Sequence, residues 1–169
     1  MIWTSQGHID PDIEATKKKL AEFLPPKDKH TYNFAICERE TGEFIGMGGN
    51  LWRQDFFGWP EVGYMFHPSV WGKGYATEFM KGFMEMWWQL PRVEEEVEVA
   101  TCSIKVDGDV EEGDVVREVM IGITDAANLA SAKVLEKGGF ERLEDWIVEN
   151  NKGKELDRLF VFACPRPEP

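Results

Sequence analysis

Residues Pro68 to Glu78 read PSVWGKGYATE, and this stretch constrains the fold more than any other in the chain. It sets two glycines and a lysine between an extended apolar run and an amphipathic helix. Upstream, Glu61-Val-Gly-Tyr-Met-Phe66 has the apolar residues of a strand. Downstream, Tyr75, Phe79, Phe83 and Trp87 recur at helical spacing, joined by Met80, Met84 and Trp88. Glycines at 72 and 74 let the backbone turn its N–H groups toward one point, where the helix N-terminus adds partial positive charge. A pyrophosphate suits such a turn. Tight strand-to-helix packing also produces it, and the local pattern does not separate the two.

The second half of the chain narrows the choice. Asn128-Leu-Ala-Ser-Ala-Lys-Val-Leu-Glu-Lys-Gly-Gly-Phe140 reads as a helix starting near Asn128, stopped by Gly138-Gly139 and followed by a strand from Phe140. Together the two segments resemble the GNAT superfamily of acyl-CoA-dependent N-acetyltransferases. Within it they are similar to the branch that acetylates ribosomal-protein N-termini (Rim-type), where a WGxGYATE-like turn and an N-x-x-S-x-x-x-L-E-K-x-G-F-like helix recur. The resemblance runs from about Trp3 to the C-terminal strand, with an atypical interval between the motifs.

What the resemblance implies is an α/β fold in one domain spanning 1–169, with a mixed, mostly antiparallel central sheet flanked by helices. Acetyl-CoA would be the co-substrate. Gly72, Lys73, Gly74, Tyr75, Ala76 and Thr77 would hold its pyrophosphate, and Asn128 and Ser131 would face its pantetheine or sulfur. The backbone N–H of Met65 or Phe66 would be the oxyanion donor, and Glu61 the general base acting through water. Three departures stand beside this. Ser69 occupies the place where the family's loop usually carries Gln or Arg, and Leu135 the place where many members carry a tyrosine acid, so that Ser131 or water would serve instead. The chain also opens at what looks like the middle of the family pattern, with no counterpart to its first strand. A truncated or divergent member is the expectation, with an exposed sheet edge covered by homodimer pairing. A strictly monomeric mass by light scattering at high concentration would overturn that dimer.

The same assignments can be weighed from chemistry alone. An amine attacks a thioester only when deprotonated, and the oxyanion that forms needs a hydrogen-bond donor. Glu61 opens the strand that feeds the glycine turn, so its carboxylate reads either as that base or as an ordinary strand-edge glutamate. Asn128 is fully explained as a helix cap, and the resemblance implies that it also contacts the cofactor or orients a water. Ser131, one turn on, bonds the sulfur or packs the helix. His67 stands just before the loop and reads as a turn residue; His8 and His30 have no partner spacing. Trp52, Phe56, Phe57 and Trp59 either shape an acceptor pocket or fill the core.

Charge excludes one class of partner. With 19 basic and 31 acidic side chains the net charge is −12, and a phosphate backbone needs basic surface, so no nucleic acid is expected. The acid concentrates at Glu94-Glu-Glu96, Glu98 and Asp107 to Asp114, as a solvated face or as a field that attracts amines. No run is long and apolar enough for a membrane span, and the N-terminus lacks a signal pattern, which makes a cytoplasmic, membrane-free protein the default. Cys37, Cys102 and Cys164 lack CxxC spacing and read as free thiols rather than disulfides, zinc ligands or a nucleophile; no metal is expected.

Along the chain, Asp10-Pro11 starts a helix that runs to about Phe23, ended by Pro25-Pro26. Thr31 to Glu38 and Glu43 to Trp52 form a hairpin around Thr41-Gly42. Helix Gly74 to Gln89 ends before Pro91. Val97 to Val106 and Val115 to Thr124 read as an extra strand hairpin, 97–124, around Asp107-Gly108, and the last strands lie near Phe140 to Glu149 and Leu156 to Cys164. The expected activity is acetyl transfer from acetyl-CoA to a primary amine, a protein N-terminus or a small amine. A non-catalytic acyl-CoA-binding or protein-interaction module is the alternative, and a fold kept purely as scaffold a third.

Overall fold

The sheet is antiparallel everywhere except at its centre, where two strands run parallel and meet at a single pair of residues. The computed structural model describes residues 9–28, 31–52, 57–104, 110–149 and 156–168. Within them, β1 (Tyr32–Cys37), β2 (Phe44–Trp52), β3 (Glu61–Phe66), β4 (Val119–Asp125), β5 (Glu141–Glu149) and β6 (Leu156–Pro165) form one sheet in the order β1-β2-β3-β4-β6-β5. Three α-helices accompany it: α1 (Ile13–Leu20), α2 (Tyr75–Gln89) and α3 (Leu129–Lys137). This is the mixed, mostly antiparallel α/β architecture expected.

β4 pairs with β6 along its whole length, from Val119↔Pro165 to Asp125↔Leu159, and β3 pairs with β2 from Glu61 to Phe66. Between β3 and β4 only Glu61↔Ile121 is in register. The sheet is therefore two zipped halves that touch at one end and part toward the other. Strand edges carry N–H and C=O groups that must find partners, so a parting of this kind is a place for a ligand with amides of its own.

Alternation sorts the core to either side of the sheet. Val62 on β3 and Met120 on β4 point to the face that carries α2 and α3, where they meet Met80, Phe83, Met84, Trp87, Ala132 and Leu135. The helical spacing of α2 builds a ladder of rings: Phe79 to Phe83 and Phe83 to Trp87 each stack with centroids 5.8 Å apart. Ile121 and Val119 point to the other face, against Phe57 and Trp59. α3 lies hard on β4, because any Cβ at Gly122 would come within 2.5 Å of Leu135 Cδ2. Its end is a Schellman turn: Phe140 N–H donates to Leu135 O and Gly139 N–H to Glu136 O, both at 3.1 Å, with Gly139 at φ 91°. Phe140 and Leu135 then share the same core.

Two expectations are corrected. Among the described residues the extra hairpin over 97–124 does not form: 91–100 and 110–118 hold no strand, Thr101–Ser103 is a 3-10 turn, and only Val119–Asp125 enters the sheet, while the Asp107-Gly108 turn lies outside the described residues. Some of these residues are instead packed on the face of the sheet, while Val97 and Val115 stay exposed. Ala100 N–H donates to Phe57 O at 3.1 Å, Trp59 Nε1 to Ser103 Oγ at 2.7 Å, and Val99, Ala100, Ile104 and Val116 pack on the Phe57–Trp59 cluster. Gly58 permits the crossing, since it has φ 74° and a Cβ there would sit 1.9 Å from Glu98 O. The first helix is also capped two residues later than expected. Asp12 Oδ1 accepts from Ala15 N–H at 2.8 Å, whereas Asp10 accepts from Thr16 Oγ1 and pairs with Lys19; α1 ends at Leu20 and a 3-10 turn continues to Phe23.

Candidate active site

β3 ends at Phe66 and the chain turns through 67–74 before α2 begins. His67 and Ser69 close the first part of this turn, with His67 Nδ1 2.8 Å from Ser69 Oγ and accepting from Ser69 N–H at 3.3 Å. Trp71 swings its indole back so that Nε1 donates to Phe66 O at 2.9 Å. Gly72 and Gly74 then adopt φ values of 75° and 92°, and a Cβ on either would meet nothing within 4 Å. Neither glycine is there to relieve packing. Both serve a backbone conformation that side-chain-bearing residues rarely adopt, over open space.

At the start of α2 lies the main electrostatic feature of this turn. The first N–H groups of a helix have no partner within it. In α1 and α3 a side chain supplies one, from Asp12 and Asn128 respectively. α2 begins at Gly74 with no side-chain cap. The first N–H groups of α2 therefore have no side-chain cap at the positive end of a fifteen-residue helix, with exposed Lys73 beside them. Ser69 is spent on the turn, so the missing Gln or Arg at that place is not replaced by its hydroxyl.

The side chain of Tyr75 does something else. Its hydroxyl donates to Glu38 Oε1 at 2.8 Å, which ties the β1–β2 turn to the start of α2, and Thr41 Oγ1 donates to Glu38 Oε2 at 2.7 Å. The Tyr75 side chain is thus engaged by Glu38, and its backbone N–H belongs to the uncapped start of α2. These bonds, Thr41 first and then Tyr75, hold the Glu38 carboxyl below its ordinary pKa, and Lys73 adds to the effect. A depressed carboxylate stabilises the fold fully above its unfolded pKa of about 4.3 and loses that contribution as pH falls through the lower folded value. Thermal melts of the wild type are thus expected to fall more steeply below about pH 4.3 than those of Glu38→Gln. Parallel melting curves for the two proteins would show that the Glu38 bonds do not contribute.

Two hydrogen bonds set the polarity of β3. Ile121 N–H donates to Pro60 O at 2.9 Å, so residue 60 faces β4, while Asn50 Nδ2 donates to Glu61 O at 2.9 Å from the β2 side. Backbone groups alternate along a strand. Val62, Tyr64 and Phe66 accordingly turn N–H toward the parting between the strands, and Gly63 and Met65 turn theirs toward β2. Of the two oxyanion candidates, Phe66 faces the parting and Met65 faces away. Glu61 stands at the closed end of the parting, half-buried, with its side chain on the Phe57–Trp59 face.

Asn128 and Ser131 lie across the parting from β3 at the start of α3. Asn128 Oδ1 accepts from Ser131 N–H at 3.2 Å, a cap in the ordinary sense. Leu135 is buried against Met120, Phe140 and the other α2-face residues and does no chemistry. Glu61 and Ser131 are on opposite faces of the sheet, one on each side of the gap. The residue that the motifs did not single out is Tyr64. It follows Val62 in the alternation and so points to the α2 and α3 face, where its hydroxyl is sealed from solvent beside Ser131 with no completed hydrogen bond. Alternation signals that side, but nothing in the sequence signals its neighbour.

Phe57 and Trp59 are core residues; Phe56, His8 and His30 lie outside the described residues. All three cysteines are free, and burial pushes the Cys164 thiol up to about 11, far from nucleophilic. Among the described residues no group of three or more His, Cys, Asp or Glu side chains could hold a metal ion, and no helix is long and apolar enough to cross a membrane.

A family profile described as an acetyltransferase (GNAT) domain matches residues 1–141. No curated protein matches the chain in sequence. Solved structures share the fold at low identity. A GNAT-family acetyltransferase from Bacillus anthracis is 19% identical with a TM-score of 0.63, over 99% of this chain and 82% of its own. A spermidine N-acetyltransferase from Vibrio cholerae, solved with CoA and spermine, is 10% identical with a TM-score of 0.64, over 93% and 77%. A ribosomal-protein-S5-alanine acetyltransferase from Vibrio fischeri is 16% identical with a TM-score of 0.61, over 92% and 74%. The parted central strands, the uncapped helix behind a glycine turn and the profile match over most of the chain lead to one conclusion: this chain belongs to the GNAT acetyltransferase family.

Proposed function

We propose that the protein transfers acetyl from acetyl-CoA to a primary amine, by direct attack of the amine on the thioester, as a Rim-type member of its family. The observation that carries this reading is the start of α2, the one α-helix of the three with no side-chain cap, opening where β3 and β4 part. The N–H groups of residues 74–77 and the ammonium of Lys73 suit a pyrophosphate. Beyond the Glu61↔Ile121 pair, the edge of β3 offers the Tyr64 backbone groups and the Phe66 N–H to the amides of a pantetheine arm, Phe66 O being taken by Trp71 Nε1. At the closed end Glu61 would accept the proton lost by the amine nitrogen through water, and an N–H of β3 that faces the parting would stabilise the oxyanion. Ser131 would hydrogen-bond the sulfur as it leaves. The acceptor is a protein N-terminus or a small amine, and the net charge of −12 favours a cation approaching either way. The homodimer expected from an exposed edge has its candidate in β1, which has a partner on one side only among the described residues.

Calorimetric titration of acetyl-CoA into the purified chain, with desulfo-CoA and ATP for comparison, tests the cofactor site. Saturable binding preferring acetyl-CoA is expected, followed by acceptor-dependent release of free thiol in a screen of peptides and amines. A non-catalytic acyl-CoA-binding module is favoured instead by the buried Leu135 where many relatives carry an acid and by Ser69 being held in its turn. It predicts the same binding without thiol release from any acceptor. Folded protein that binds none of the three ligands would leave only the scaffold.

A further inference from the structure

Burial of a hydroxyl without a hydrogen-bond partner costs about 1–3 kcal/mol, so a native fold that keeps one invites an explanation. Tyr64 Oη is such a group. Its ring packs against Phe66 at 6.0 Å and Phe79 at 6.5 Å between centroids, and its Cβ lies under Gly48, where a methyl group would come within 2.8 Å. The ring is thus fixed by its surroundings and its hydroxyl is aimed at the first turn of α3. The polar side chain beside it is that of Ser131. Ser131 is held in turn through its N–H by the Asn128 cap.

Resting on the acetyltransferase reading, we propose that Tyr64 is a positioning residue for the departing sulfur: its hydroxyl donates to Ser131 Oγ once the cofactor is seated, so that the serine proton points at the sulfur. Ser131 has one proton and two lone pairs. Left alone its hydroxyl rotates, and a donor behind it orients the proton forward. Hydrogen bonds of this kind are often loose before the cofactor binds and tighten afterwards. Burial raises the Tyr64 hydroxyl above its ordinary pKa, with Ser131 pulling the other way, so the phenol stays protonated and acts as a donor rather than as an acid. In the reaction the N–C bond forms and the C–S bond breaks. The proton taken from nitrogen at Glu61 leaves to solvent, and one from solvent reaches the sulfur, which Ser131 stabilises meanwhile. Tyr64 thereby supports the function that the family's tyrosine acid performs elsewhere, from β3 instead of from the place of Leu135.

Tyr64→Phe removes only the oxygen, so the packing is kept. The expected result is turnover lower by about tenfold with KM for acetyl-CoA unchanged, and a melting temperature equal to or above wild type, because an unpaired buried hydroxyl has gone. Calorimetry with CoA and desulfo-CoA reads the sulfur contact without any acceptor: wild type is expected to prefer CoA, and Tyr64→Phe to lose that preference. Since Tyr64 works through Ser131, the double variant Tyr64→Phe/Ser131→Ala should be no slower than Ser131→Ala alone. Wild-type turnover and an intact CoA preference in a stabilised Tyr64→Phe would overturn the proposal, as would multiplicative losses in the double variant. If wild type binds neither CoA nor desulfo-CoA, the acetyltransferase reading itself fails and takes this role with it. Binding of both with no difference between wild type and variant sinks the role of Tyr64 alone.

Discussion

Gly74→Trp is expected to weaken acetyl-CoA binding by about 100-fold or more while the protein stays folded. Gly74 holds φ at 92°, and a Cβ there would meet no atom within 4 Å. The substitution therefore touches no core contact. Holding that backbone conformation with a side chain costs about 1–3 kcal/mol, and the loop relieves it by turning the N–H groups away from their common point. Each hydrogen bond to a charged group lost in this way is worth about 1.5–3 kcal/mol, so losing two already amounts to the stated factor. The indole would also stand in the open space that the anion needs. Calorimetry measures the affinity, and a thermal melt establishes that the variant is folded. Unchanged affinity in a folded variant would refute the assignment of 72–77 as the pyrophosphate site.

The second large effect is on the chemical step. Glu61→Gln should lower turnover by about 100-fold, within the usual range for loss of a general base, with the acetyl-CoA dissociation constant unchanged. The substitution keeps the size of the side chain, and the bond that Asn50 Nδ2 donates is to Glu61 O of the backbone, so β3 stays in place. The ability to accept a proton is lost together with the negative charge. An acceptor amine that has already lost its proton in solution has less use for a base, so the deficit should shrink as pH rises toward the amine's own pKa. Equal turnover in variant and wild type at neutral pH would reduce Glu61 to its structural position at the closed end of the parting. A loss of cofactor affinity together with turnover would mean that the variant has disturbed the strand rather than the chemistry.

These two residues differ in how much of their role could be read in advance. The position of Gly74 was legible because glycine between a strand and an apolar helical ladder is a local signal, and φ, cap and helix start are all decided within a few residues. The same holds for Asn128 at the start of α3 and for Gly138-Gly139 at its end, where the Schellman bonds span only six residues. Glu61 was legible as the opening of a strand but not as the meeting point of two half-sheets.

Alternation misled at 97–106 for a related reason. A period of two reports that one side of an extended segment is buried, and says nothing about whether another strand or a turn of chain does the burying. Here Trp59, Phe57 and the crossing at Gly58 draw Val99 to Ile104 onto the sheet's face, where they are held by two hydrogen bonds and a shared apolar cluster. At the first helix, Asp10 and Asp12 are both good caps by residue type, and Asp10 is drawn off by Thr16 and Lys19.

By itself, then, the sequence determined the six strands of the sheet, the helices, the Asn128 cap and the glycine turn, since each rests on dihedral preferences and spacings that close within about one helical turn. Tertiary structure decided the strand order, the single β3–β4 pair, which N–H of Met65 and Phe66 faces the gap, and the meeting of Tyr64 with Ser131, which are 67 residues apart in the chain (131 − 64). Those features depend on which long-range contacts bury the most apolar surface together, and no local pattern encodes the partner of a buried face.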